Sequence, residues 1–291
     1  MANRLRTRHH TVVLSRSAGG DAWITIFLII LGVLMFLPLY YTVIQSFKPL
    51  DELFYFPPKF YVINPTWDNF SDLFKLMSES WVPFSRYIFN TVAITVAGTF
   101  GNLLLSCLCA YALSKIPFPG HEFFFQLVQK SLMISATVGS VITFIIISKL
   151  HLMDNMWAVI IPSWSSTLGL YLMKQFMDTN VNTSVLESAR LDGASEFRTF
   201  LTIAMPMVKP AWLTVIIYSF QGLWNSGASM YIHSEELKTL NYAMSQILTA
   251  GIARSGASAA SGVIMMVVPI VVFVISQSKI IETMGSSGMK D

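Results

Sequence analysis

Long apolar runs separated by polar segments set the pattern of this chain, and each run has room for the roughly 20 residues that a helix needs to cross a bilayer. The runs extend over about Ala22 to Phe47, Tyr87 to Leu113, Phe123 to Ser148, Met156 to Lys174, Ala211 to Ile232 and Ala257 to Ile281. They predict an all-α integral membrane protein with six transmembrane helices over 22–281, flanked by polar tails at 1–21 and 282–291. The first run is too long for a signal-peptide core and no A-x-A site closes it, so it reads as an uncleaved span. Pro38 within it predicts a kink that a membrane bundle tolerates. Gln126, Gln129 and Lys130 make the first turns of the third run polar.

Three of the polar segments are long. Residues 48–86 hold Phe56-Pro57-Pro58-Lys59-Phe60 and Asn64-Pro65-Thr66-Trp67-Asp68-Asn69-Phe70, which predict turns and short helices. Residues 233–256 form a second excursion. The third segment, 175–210, carries helix signals of its own. Ser184 with Glu187 fits a capping box, in which Glu187 reaches back to the Ser184 N–H. Gly193 is placed to end that helix in the left-handed conformation, Ser195 can cap a second helix, and Pro206 and Pro210 limit its length. The prediction is a helix, a tight turn and a helix lying outside the membrane.

Composition narrows the class. With 54% hydrophobic and 12% charged residues and a mean hydropathy of +0.58, the chain lacks the charges that a soluble surface requires. The net charge of +3 comes from basic residues near span ends, which set topology rather than bind nucleic acid. With six spans, the side of the N-terminus holds eleven Lys and Arg: Arg4, Arg6, Arg8, Arg16, Lys115, Lys174, Arg190, Arg198, Lys209, Lys279 and Lys290. The other side holds seven: Lys48, Lys59, Lys75, Arg86, Lys149, Lys238 and Arg254. The positive-inside rule then places both termini and the 175–210 loop in the cytoplasm and the 48–86 and 233–256 loops outside.

Candidate chemistry is sparse. Cys107 and Cys109 lie two apart on one predicted helix, point in different directions and cannot pair; both read as packing residues. The sequence has no phosphate-binding G-x-x-x-x-G-K-[ST] loop, since Ser255-Gly256-Ala257-Ser258 lacks the lysine. His9-His10 has no acidic companions and makes a poor metal site. The predicted spans hold no carboxylate of the kind that ion-coupled carriers use, so energy for transport would come from a partner. The sixteen methionines read as core filler. Amides at Asn90, Asn102, Gln129, Gln221 and Asn225 fall near membrane depth. Gln221, Trp224 and Asn225 in span five offer amides and an indole face, which suit a sugar's hydroxyls and ring C–H groups. The same residues also suit helix–helix hydrogen bonding and an interfacial aromatic belt, and both readings stay open.

The spacing in the third polar segment is more specific. Glu187-Ser188-Ala189, three residues, Gly193, nine residues, Ile203, one residue and Met205-Pro206 resemble the EAA signature of binding-protein-dependent ABC importer permeases. Ser188 stands where that signature has Ala, and Met205 where it has Leu. The 48–86 segments, Lys115-Ile116-Pro117-Phe118-Pro119-Gly120, Asp192-Gly193-Ala194-Ser195, Pro206 to Pro210 and Trp224-Asn225 resemble the MalG-like carbohydrate branch. The tail from Gln277 follows that branch but departs at Glu282-Thr283-Met284.

The resemblance implies the type I ABC importer permease fold and a bacterial inner-membrane subunit that forms a sugar pathway with a homologous second permease. Two copies of a cytoplasmic ATPase, using ATP and Mg, and an extracytoplasmic sugar-binding protein would complete the machine. This chain, embedded in membrane lipid, would bind no cofactor or metal and catalyse nothing. The ATPase-coupling loop would comprise Glu187, Ser188, Ala189, Asp192, Gly193, Ala194, Phe197, Ile203 and Pro206. A permease for another small solute, such as an amino acid or phosphate, is the nearest alternative; a secondary carrier or a membrane scaffold is more distant.

Overall fold

The computed structural model describes residues 18–78, 81–228, 230–249, 251 and 254–287. The basic N-terminal cluster from Arg4 to Arg16, His9-His10 and the chain end from Gly288 lie outside the described residues. The described residues are helical, without strands. Three helices are long and apolar enough to cross a membrane: Gly19–Phe47, Phe84–Lys115 and Ser255–Gln277. They correspond to the first, second and sixth predicted spans.

The other three predicted spans are interrupted. The third divides into α5 (His121–Ser131) and α6 (Ala136–Lys149), bent by 110°. Ser135 caps α6, its Oγ accepting from Val138 N at 3.4 Å. The fourth divides into α7 (Trp157–Ser163) and α8 (Thr167–Asn180), with α8 running past the expected end at Lys174. The fifth, α12 (Lys209–Trp224), meets the preceding helical segment Glu196–Met207 at 84° and ends at Trp224, eight residues short of Ile232. Gly227 and the left-handed Ala228 (φ 53°) follow and turn the chain away. Among the described residues the total by length and composition is three spans, or up to five if the bent pairs at the third and fifth runs each count as one, so the six predicted are not all recovered. A polar or glycine-bearing interruption inside an apolar run decides each break, and hydropathy averaged over a window hides it.

Around these lie α1 (Ala18–Phe47), α2 (Leu50–Leu53), α3 (Asp68–Ser78), α4 (Phe84–Lys115), α9 (Thr183–Leu191), α10 (Glu196–Thr199), α11 (Met205–Met207), α13 (Leu240–Thr249) and α14 (Ser255–Ser287). The last helix takes in Glu282 to Ser287, which hydropathy assigned to the tail. The 48–86 excursion folds into turns and the short helices α2 and α3, as its turn residues predict. α1 is exposed from Gly19 to Tyr40 and becomes buried only at Ile44 and Ser46, where Asn69 Nδ2 donates to Ser46 O at 2.9 Å.

α4 is the axis of the bundle. Its buried positions fall at Asn90/Thr91, Ile94/Thr95, Gly98/Thr99, Gly101/Asn102, Ser106/Cys107 and Ala110/Tyr111, the three-to-four spacing of one helix face. Small and hydroxyl side chains on that face let neighbouring backbones approach closely. A Cβ on Gly101 would lie 2.0 Å from Trp164 Nε1, and one on Gly98 would meet Leu223 at 2.5 Å. Cys107 is buried on this face, whereas Cys109 is exposed and lines an apolar groove with Leu105 and Leu127 rather than the core.

Candidate functional site

At one end of the bundle, Asn182 to Pro210 folds as a helix-turn-helix. Asn182 caps α9, its Oδ1 accepting from Ser184 N at 3.1 Å. That bond replaces the predicted capping box, because Ser184 is already inside the helix and its N–H is spent on Asn182. Gly193 (φ 80°) ends the element. Its N–H donates to Arg190 O at 3.0 Å, and Ala194 N donates to Ala189 O at 3.0 Å. This is the paired closure of a Schellman turn, with glycine at the position where a Cβ is strained.

Ser195 then caps α10, accepting from Arg198 N at 3.4 Å. The helix widens to a π turn over Phe200–Ala204, where Met205 N reaches Phe200 O. Pro206 has no N–H to offer the carbonyl four residues back, and a π turn just upstream accommodates that loss.

The element is anchored on one side and open on the other. Leu186, fully buried, enters a core with Tyr111, Met173, Met177, Phe200, Ala204 and Val208. Ile203 packs against that core. Leu191 is 89% exposed and Phe197 63%, and Glu187, Ser188, Asp192 and Pro206 are exposed as well. Ala189 and Ala194 are half-buried at the turn. The Arg190 guanidinium bridges the turn to Glu196 (Nε to Oε1 2.6 Å, Nη2 to Oε2 3.2 Å), and Tyr111 of α4 donates to Oε2 at 3.0 Å. Arg190 first of all holds the Glu196 carboxyl below its ordinary range. Glu187 lines a cavity of about 420 Å³ with Lys115, Lys174 and Asp178, so α4, α8 and α9 meet there. The arrangement is a rigid polar and apolar surface fixed to the central helix.

A second feature lies where the fourth apolar run breaks. Trp164, Ser165 and Ser166 are not helical, and side chains and backbone of α4 meet the chain there. Asn102, near the middle of α4, closes the end of α7 by donating from Nδ2 to Ser163 O at 2.8 Å. Trp164 Nε1 donates to Ala97 O at 3.1 Å. The break borders a cavity of about 570 Å³, whose lining includes Asn102, Ser163, Ser165, Ser166, Tyr218, Gln221 and Asn225.

Of the three span-five candidates, Gln221 and Asn225 share this cavity. Trp224 does not line it: the residue is 5% exposed, its Nε1 donates to Met265 O at 3.1 Å, and its ring stacks on Phe220 at 5.7 Å. The serines of the break and Tyr218 were not picked out by sequence reasoning. The run Ser163-Trp164-Ser165-Ser166 inside an apolar segment is the signal that could have found them. Asn90, by contrast, serves the opposite loop, donating to Glu236 O and Lys238 O at 2.8 and 3.0 Å.

A family model described as "Binding-protein-dependent transport system inner membrane component" matches residues 18–283. The arabinooligosaccharides transport system permease protein AraQ of Bacillus subtilis is 27% identical over 273 residues, covering 92% of this chain and 95% of that one. The sn-glycerol-3-phosphate transport system permease protein UgpE of Yersinia enterocolitica is 29% identical over 200 residues, covering 68% and 71%. Among solved structures, a chain of a bacterial ABC transporter involved in the import of the acidic polysaccharide alginate superposes with a TM-score of 0.75. The match covers 90% of this chain and 98% of that one at 20% identity, a likeness of fold.

Proposed function

The chain belongs to the binding-protein-dependent transport system inner membrane component family, and on that premise we propose that it forms, with a related second permease, the pathway by which an ABC importer takes up a carbohydrate. It is a transport subunit rather than an enzyme. ATP and Mg are used by two copies of a separate ATPase, and an extracytoplasmic binding protein delivers the cargo. The chain spans the bacterial inner membrane with both termini in the cytoplasm.

The observation that carries this reading is the helix-turn-helix at Asn182 to Pro210. A coupling element must transmit force without bending, and here the Schellman closure at Gly193 and the Arg190–Glu196 bridge stiffen the turn. Leu186 ties it to the core while Leu191 and Phe197 stay exposed, which is the distribution expected of a surface that docks in a cleft of the ATPase. Glu187, at the rim of the same surface, supplies a charge for a basic residue of that partner. Gln221 and Asn225 lie along the pathway, and Trp224 packs the helix that holds them.

Loading the cognate binding protein from growth medium and identifying its ligand by mass spectrometry tests the cargo. A mono- or oligosaccharide is expected; an amino acid or inorganic phosphate would contradict the carbohydrate assignment. The likeness to a permease named for sn-glycerol-3-phosphate favours one second reading, a polyol phosphate as cargo.

A further inference from the structure

The cavity at the break of the fourth run is lined by polar side chains from two walls. Its volume of about 570 Å³ falls within the roughly 300–1,000 Å³ of small-molecule sites. One wall is the non-helical segment at Ser165 and Ser166. The other is a single face of α12, where Tyr218, Gln221, Gly222 and Asn225 recur at three- and four-residue spacing. Gly222 adds no side chain, and a Cβ there would meet nothing within 4 Å, so the wall stays open between the two amides.

The hydrogen-bonding capacity of these walls is partly spent within the protein. Ser165 Oγ donates to Pro162 O at 2.8 Å, Ser166 Oγ accepts from Gly169 N at 3.0 Å, and Asn225 Nδ2 donates to Gln221 O at 2.9 Å. Lone pairs of both serine hydroxyls and Oδ1 of Asn225 remain available as acceptors. Gln221 and Tyr218 have no side-chain hydrogen bond among the described residues, and Tyr218 is 58% exposed with its ring at the cavity. The lining is therefore a set of amides and hydroxyls beside one aromatic ring, and each lining side chain is neutral.

We propose that this cavity binds uncharged sugar units, and that the cargo is a neutral rather than a uronic-acid or phosphorylated glycan; this rests on the reading of the chain as a carbohydrate permease. Gln221 donates to and accepts from vicinal hydroxyls, which present donor and acceptor side by side. Tyr218 offers its ring to the sugar's C–H face. A carboxylate or phosphate entering the same site would meet no cation among the lining side chains, whereas an uncharged hydroxyl finds a partner on both walls.

The test uses the complete importer, with its second permease, ATPases and binding protein, reconstituted in proteoliposomes. Uptake and stimulated ATP hydrolysis are measured with the binding protein offered three panels: neutral oligosaccharides, oligogalacturonates with sugar phosphates, and amino acids with inorganic phosphate. Stimulation by a neutral oligosaccharide, with none by its uronate counterpart, is the expected result. Stimulation by uronates or sugar phosphates alone overturns the neutral-cargo proposal and leaves the carbohydrate reading standing. Stimulation by the third panel alone overturns that reading as well. With the neutral cargo identified, Gln221→Ala should raise the KM for uptake about tenfold, the loss of about one hydrogen bond to substrate, and Gln221→Asn should recover part of it. An unchanged KM in Gln221→Ala, with the complex assembled, would remove the cavity from the pathway.

Discussion

Arg190 and Glu196 form a two-point bridge across the Gly193 turn, at 2.6 and 3.2 Å, and Tyr111 joins the same carboxylate from α4 at 3.0 Å. The two arms of the helix-turn-helix are thereby held to each other and to the central helix. The bridge is partly exposed, at 32% and 48% of the side chains, so its contribution to stability is about 1 kcal/mol or less. Its importance lies in geometry.

Glu196→Gln should therefore leave the assembled complex nearly as heat-stable as the parent while lowering transport-coupled ATP hydrolysis several-fold. The pH dependence follows from the carboxyl's depressed folded-state value. The bridge contributes fully above the unfolded carboxyl's ordinary value of about 4.3 and is lost as pH falls through the lower folded value. Coupling should be flat across the neutral range in the parent, and the difference from Glu196→Gln should vanish only in strong acid. Coupled hydrolysis measured against pH checks both.

Two leucines of α9 separate anchoring from docking. Leu186 is fully buried and Leu191 is 89% exposed. Leu186→Ala should cost about 3 kcal/mol through the cavity it leaves, seen as a lowered melting temperature of the permease. Leu191→Asp should leave that temperature unchanged and reduce copurification of the ATPase. Equal melting temperatures with equal ATPase recovery in both variants would contradict this division.

The break of the fourth run depends on α4. Asn102→Ala leaves the half-buried Ser163 O without its donor, at a cost of about 1 kcal/mol for the lost hydrogen bond. Gly101→Ala places a methyl 2.0 Å from Trp164 Nε1 and should displace the indole from Ala97 O. Thermal unfolding, with Trp164 fluorescence read against a Trp164→Phe control, checks both: each variant should melt earlier, and only Gly101→Ala should shift the Trp164 emission.

Much of the helix-turn-helix at 182–210 was legible in the sequence. Gly193 and Ser195 carry signals that act over three or four residues, and the closure at Gly193 and the cap at Ser195 follow from them. The cap was misassigned by two residues because Asn182 and Ser184 are both competent, and the start of the helix is decided by where Val181 and Leu186 reach the core. Spans one and two followed hydropathy because nothing interrupts them, whereas the helix of span six runs on past its apolar stretch to Ser287. Spans three, four and five did not, since each contains a local break, and the one in span four is held by Asn102, remote in sequence from Ser163. For the same reason, Gln221 and Asn225 could be placed on one face, but the opposite wall of their cavity could not.

Coupled hydrolysis in Gly193→Val tests the central claim most directly. A β-branched residue at φ 80° strains the backbone by at least 1–2 kcal/mol, while the surroundings hold nothing within 4 Å for its Cβ to strike. The defect is thus confined to the turn, and Gly193→Asn, which tolerates that conformation, serves as the control. In the reconstituted complex, Gly193→Val should insert and assemble normally yet lose most of the stimulation of ATP hydrolysis by loaded binding protein, with Gly193→Asn in between. Parental stimulation in Gly193→Val would show that the 182–210 element does not carry the coupling.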